Sequence, residues 1–118
     1  MTEREDSGAA AKANLNQVLD QLWVRFLPEI EERVNVLAAA AASLQRGKLD
    51  ATEREAAHSA AHKLAGVLGT FGLARGTELA RELEVAFESG SVIDRETGLR
   101  LSGSVTEVRA LIAGRKGG

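Results

Sequence analysis

The chain has two histidines, His58 and His62, and no cysteine, which makes imidazole its candidate nucleophile near neutral pH. His62 opens the run His62-Lys63-Leu64-Ala65-Gly66-Val67-Leu68-Gly69-Thr70-Phe71-Gly72. On an α-helix, at about 100° per residue, Ala57, Ala60, Leu64, Val67, Leu68 and Phe71 gather on one side. His62 falls nearly opposite them and should face water. Glu55, His58, Gly66 and Gly69 come within roughly 40° of it by the same count. Each glycine inside a helix costs about 1 kcal/mol relative to alanine. Accepting that cost twice beside one exposed histidine points to a face kept bare, so that another protein's backbone can come close to the ring.

No serine or acid is spaced to complete a hydrolytic triad with either histidine. A lone imidazole can still accept a phosphoryl group if a partner supplies the electrophile and the magnesium, because phosphoryl transfer depends mainly on positioning and charge stabilisation. Two other readings stay open at this point. His58 and His62, four residues apart with Glu55 nearby, have the spacing of a helical metal pair, although the glycines have no part in such a site. Alternatively the chain is a non-catalytic adaptor bundle that binds another protein or a partner helix, with His62 inert and the glycines marking close helix packing.

These residues need a frame, and the composition limits it. The 118 residues suit one domain. Apolar residues make up 44% and aromatics 3%, so the core must be Ala, Leu and Val, a mixture suited to closely packed helices. The net charge of −2 comes without the basic stripe of a nucleic-acid binder. The absence of cysteine excludes disulfides and zinc–cysteine sites. The amino terminus is charged where a secretory leader would be apolar, and no apolar stretch is long enough to span a bilayer. A cytoplasmic monomer with no nucleic-acid or membrane partner is the expectation.

The periodicity predicts an all-α fold, an antiparallel four-helix bundle with an additional N-terminal helix packed over one end. That first helix runs from about Ala9 to Phe26. Pro28, followed by Glu29, Glu31 and Glu32, suits the first turn of a second helix, or else kinks a single long one. The second helix should end at Gln45-Arg46-Gly47. Asp50 or Thr52 caps the third, which carries both histidines to about Gly69. The fourth spans Leu73 to Glu88, and Asp94 caps the fifth, in which Leu101, Val105, Val108 and Ile112 repeat. Residues 1–7 and 114–118 read as flexible tails around a bundle spanning 8–113.

The run from His62 resembles the histidine-containing phosphotransfer (HPt) domain family, whose pattern is His-x-Leu-(Lys or Ala)-Gly, then small residues and a Phe/Leu-Gly. His62, Leu64, Ala65, Gly66, Gly69, Phe71 and Gly72 carry the match. The resemblance implies a helical phosphocarrier without kinase activity or a cofactor of its own. It implies His62 as phosphoacceptor and response-regulator receiver domains as partners, with magnesium supplied by the receiver. In some relatives a sensor histidine kinase is the donor. Glu55, His58, Lys63, Gly66 and Gly69 would then form the docking surface. Family members often carry Gln or Glu twenty-two positions after the histidine, hydrogen-bonded to the ring nitrogen that is not phosphorylated, and here that position is Glu84. Many also carry Lys three positions after it, where this chain has Ala65. Lys63, adjacent but about 100° around the helix, can substitute only in part.

Overall fold

A computed structural model describes the backbone of residues 2–91 and 93–115 and the side chains of 10–91 and 93–115. Among these residues there are four helices and no strand: α1 (Thr2–Gln45), α2 (Ala51–Thr70), α3 (Ala74–Ala86) and α4 (Arg95–Gly114). Side-chain contacts fix their directions. Trp23 of α1 meets Phe71, just past the end of α2, edge to face at 5.2 Å. Gln45, ending α1, donates from its side-chain amide to the Gly98 carbonyl near the start of α4 at 3.4 Å. Arg54, in the first turn of α2, donates to the Phe87 carbonyl at the end of α3 at 3.2 Å. Consecutive helices therefore run antiparallel, and α4 closes the ring against α1.

Local chemistry sets the helix ends. Asp50 accepts from the Glu53 amide at 2.7 Å and Asp94 from the Thr97 amide at 2.9 Å, so each satisfies one of the free N–H groups that begin a helix. The Thr97 amide, with help from its hydroxyl, holds the Asp94 carboxyl below its usual range. Gly47 and Gly72 take the left-handed conformation after α1 and α2, with φ of 67° and 76°. Their turns are closed by Lys48 N–H donating to the Ser43 carbonyl and Leu73 N–H to that of Leu68.

The core is aliphatic and rich in small residues. Ala40, Ala41, Ala57, Ala61 and Ala80 are fully buried beside Leu37, Leu64, Leu68, Leu83 and Leu101. Alanine pairs let the helix axes approach closely, and the leucines fill the space between them. Trp23 and Phe71 close one end of the bundle.

Three expectations need correction. The additional N-terminal helix is not a separate element: α1 passes through Pro28 without a break. The proline removes an N–H that would have bonded the Val24 carbonyl. Val24 and Pro28 both lie on the solvent side of α1, so water can take up that carbonyl. Trp23 and Ile30, buried on either side of the proline, hold the helix axis on course. Residues 2–7, expected as a loose tail, belong to α1; Met1 lies outside the described residues. At the other end, Gly114 completes α4, and Arg115 is docked rather than loose. Its guanidinium stands 4.9 Å from the Trp23 ring centroid and 5.3 Å from that of Phe71, and it pairs with Asp20 at 3.3 Å. Residues 116–118 lie outside the described set.

Candidate functional site

Leu64 and Leu68 point α2's apolar face into the core, and this turns His62 outward with 70% of its side chain exposed. On the neighbouring helix, Leu83 is buried, which leaves Glu84 at the edge of α3 facing α2. The His62 Nδ1 and Glu84 Oε2 atoms are 2.8 Å apart. Glu84 is only 22% exposed, so this bond is better shielded than most surface pairs. With Nδ1–H donating to the carboxylate, the lone pair of the neutral ring lies on Nε2.

Arg54 holds the two helices in this register. Besides the Phe87 carbonyl, it donates to those of Glu88 and Ser91, tying main-chain carbonyls past the end of α3 to the first turn of α2. Sequence reasoning missed this arginine, since its partners are main-chain carbonyls more than thirty residues away.

Along α2 the remaining candidates fall on or beside the His62 strip. Glu55 and Lys63 are exposed and His58 is half-buried. His58 lines an open groove with Arg54, Glu55, Phe87 and Glu88. Gly66 and Gly69 are exposed. A Cβ added at Gly66 would meet nothing within 4 Å, and one at Gly69 would lie 3.6 Å from the Thr77 hydroxyl, an ordinary contact. Among the described residues, packing forces neither glycine. Ala65 is buried, so the position where many relatives place a cation belongs here to the helix interface. Among the described residues, no group of three or more His, Asp or Glu side chains is placed to hold a metal ion.

The bundle thus presents an exposed histidine mid-helix, with a carboxylate on one ring nitrogen and bare glycines one and two turns on. The Hpt domain family model matches residues 21–114, and the chain belongs to that family. Protein RcaC of Microchaete diplosiphon is 36% identical over 66 residues, covering 56% of this chain and 10% of RcaC. The match thus spans about a tenth of that relative's length. No solved structure matches the chain. Hpt domains serve phosphotransfer in two-component signalling as phosphocarriers rather than kinases. Among the described residues, no helix is long and apolar enough to cross a membrane.

Proposed function

We propose that His62 accepts a phosphoryl group from an aspartyl phosphate on a response-regulator receiver domain and passes it to a second such aspartate, with a sensor histidine kinase as the donor in some pathways. The observation that supports this best is the 2.8 Å contact between Nδ1 and Glu84, which leaves Nε2 as the outward nucleophile. In the forward step the Nε2 lone pair attacks phosphorus. The bond from phosphorus to the aspartyl oxygen breaks, and the aspartate leaves as a carboxylate. The ring, now bonded at Nε2 and still protonated at Nδ1, carries a positive charge that the Glu84 carboxylate offsets. Return transfer reverses these steps.

Magnesium belongs to the receiver in this scheme, and the chain needs no cofactor of its own. Gly66 and Gly69 give the partner's backbone room to reach the ring, with Glu55, His58 and Lys63 around them for docking. Ala65 brings no charge to the phosphoryl oxygens, so their neutralisation falls to Lys63 and to the receiver's own cations. The relay operates in the cytoplasm, and this chain carries the group without making it.

Incubating the chain with a phosphorylated receiver domain and magnesium tests the proposal. Acid-labile, base-stable phosphate should appear on the chain and be absent from His62→Gln. That variant should fold normally, since an exposed change of this kind typically stays within about 0.5 kcal/mol. Undiminished labelling of His62→Gln would refute the assignment. A folded wild-type chain that binds receivers but takes up no phosphate from them would make it an adaptor.

A further inference from the structure

Helix α1 runs well past the bundle. The longest dimension of the molecule is 63 Å, against 22 and 20 Å for the other two, and it approaches the length of a 44-residue helix, roughly 66 Å at 1.5 Å per residue. Leu19 and Leu22 still pack on the edge of the core and Asp20 pairs with Arg115, so the residues ahead of Leu19 project from the bundle. The family match begins at residue 21, so it does not cover the projecting segment. A helix that projects without packing is marginal in water at this length, and its sequence carries an apolar seam. Ala11, Leu15, Val18 and Leu22 follow one another at intervals of four, three and four, the spacing of a coiled-coil seam. Leu15 is 58% and Val18 49% exposed, Ala11 is exposed, and Leu22, where the seam meets the bundle, is half-buried against the core. Between residues 10 and 22 the only charges are Lys12 and Asp20. Asp20 points away from the seam, towards Arg115 beyond α4.

We propose that this seam pairs antiparallel with the same segment of a second copy of the chain, in place of the monomer expected from the sequence. The pattern is its own complement when reversed. About a midpoint between Asn16 and Gln17, Leu15 falls opposite Val18 and Ala11 opposite Leu22, while Asn14 comes beside Gln21 so that amide meets amide. No like charges face each other along the seam, and the helix dipoles are opposed. A parallel pair would instead drive the second bundle into the corner formed by Phe26 and Phe71, whose rings lie 6.5 Å apart on the seam side of α1. The antiparallel pair sends the two bundles to opposite ends. It leaves His62, nine residues before Phe71 and so about 13 Å along α2 from that corner, open to a partner. Thirteen residues of helix give a contact smaller than the roughly 800 Å² per partner of a standard interface, so the dimer should be of micromolar rather than nanomolar strength.

Sedimentation equilibrium of the whole chain, from about 1 to several hundred micromolar, tests this. The wild type should pass from monomer to dimer, and Val18→Glu should stay monomeric with an unchanged helical circular dichroism spectrum. Because the chain has no native cysteine, Leu15→Cys and Val18→Cys chains can be mixed under mild oxidation, and they should cross-link to each other faster than either does to itself. A wild type that stays monomeric throughout overturns the proposal, even if added receiver domain then binds the seam. So does a dimer that survives Val18→Glu, or self-cross-linking of Leu15→Cys at least as fast as the mixed reaction, which marks a parallel pair.

Discussion

Gly66 and Gly98 both sit inside helices, and their surroundings are opposite. A Cβ at Gly98 would come within 2.9 Å of the Gln45 backbone nitrogen and 3.1 Å of the Leu44 and Gln45 side chains, because the end of α1 presses directly on the start of α4. A Cβ at Gly66 would project into open space. One glycine permits the chain's own backbones to touch. The other has no internal reason to be small, so its reason has to be sought outside the chain, in whatever approaches His62. A glycine's cost in helix propensity is the same in both places; only the surroundings tell a packing glycine from a docking one.

Substitutions at these two positions should move stability in opposite directions. Gly98→Ala should destabilise the bundle by about 1–2 kcal/mol, the overpacking cost less the gain in helix propensity, seen as a thermal midpoint lowered by several degrees. Phosphotransfer measured well below that midpoint should be unchanged. If Gly98→Ala is as stable as the wild type, the helix contact is looser than its geometry implies and the contrast with Gly66 collapses. Gly66→Gln should raise stability by up to about 1 kcal/mol while slowing phosphotransfer from a receiver. A wild-type transfer rate in that variant would remove the docking explanation for Gly66. The smallest change should come at Gly69, where a methyl meets Thr77 at an ordinary 3.6 Å. Gly69→Ala should be neutral to slightly stabilising, with a milder loss of transfer rate than Gly66→Gln.

Much of the bundle could be read from the sequence because its signals are local. Asp50 and Asp94 as caps, Gly47 and Gly72 as helix stops, and the three-and-four spacing of Leu101, Val105, Val108 and Ile112 each need only a few neighbouring residues to interpret. Pro28 misled for the same reason. Locally it reads as a helix start, but packing at Trp23 and Ile30 carries the helix through it. Arg115 sits in a glycine-rich stretch that looks like a loose end, and its rings, Trp23 and Phe71, lie far off in sequence. Gly98 gave no warning at all, since its constraint comes from Gln45 across the bundle.

The site divides along the same line. The outward direction of His62 follows from the pattern of α2 alone. The choice of Glu84 came from the family resemblance, because the alignment of two antiparallel helices across a turn cannot be derived from residue types. Their 2.8 Å contact rests on the packing of α2 against α3, to which Arg54 adds its bonds to the end of α3. Glu84→Ala should therefore slow transfer roughly tenfold, on the scale of losing a partner that orients a histidine ring, and should spread the neutral His62 ring over both tautomers in nitrogen-15 NMR spectra. An unchanged tautomer ratio in that variant would reduce Glu84 to a surface carboxylate.

The central claim is that Nε2 of His62 takes the phosphoryl group while Nδ1 stays bound to Glu84. Nitrogen-15 and phosphorus-31 NMR of the chain, labelled by a phosphorylated receiver, reads this directly. Phosphorus coupled to Nε2 of His62, with the proton retained on Nδ1, is the result predicted here. Phosphorus on Nδ1 of His62, on His58, or on any other side chain would contradict it.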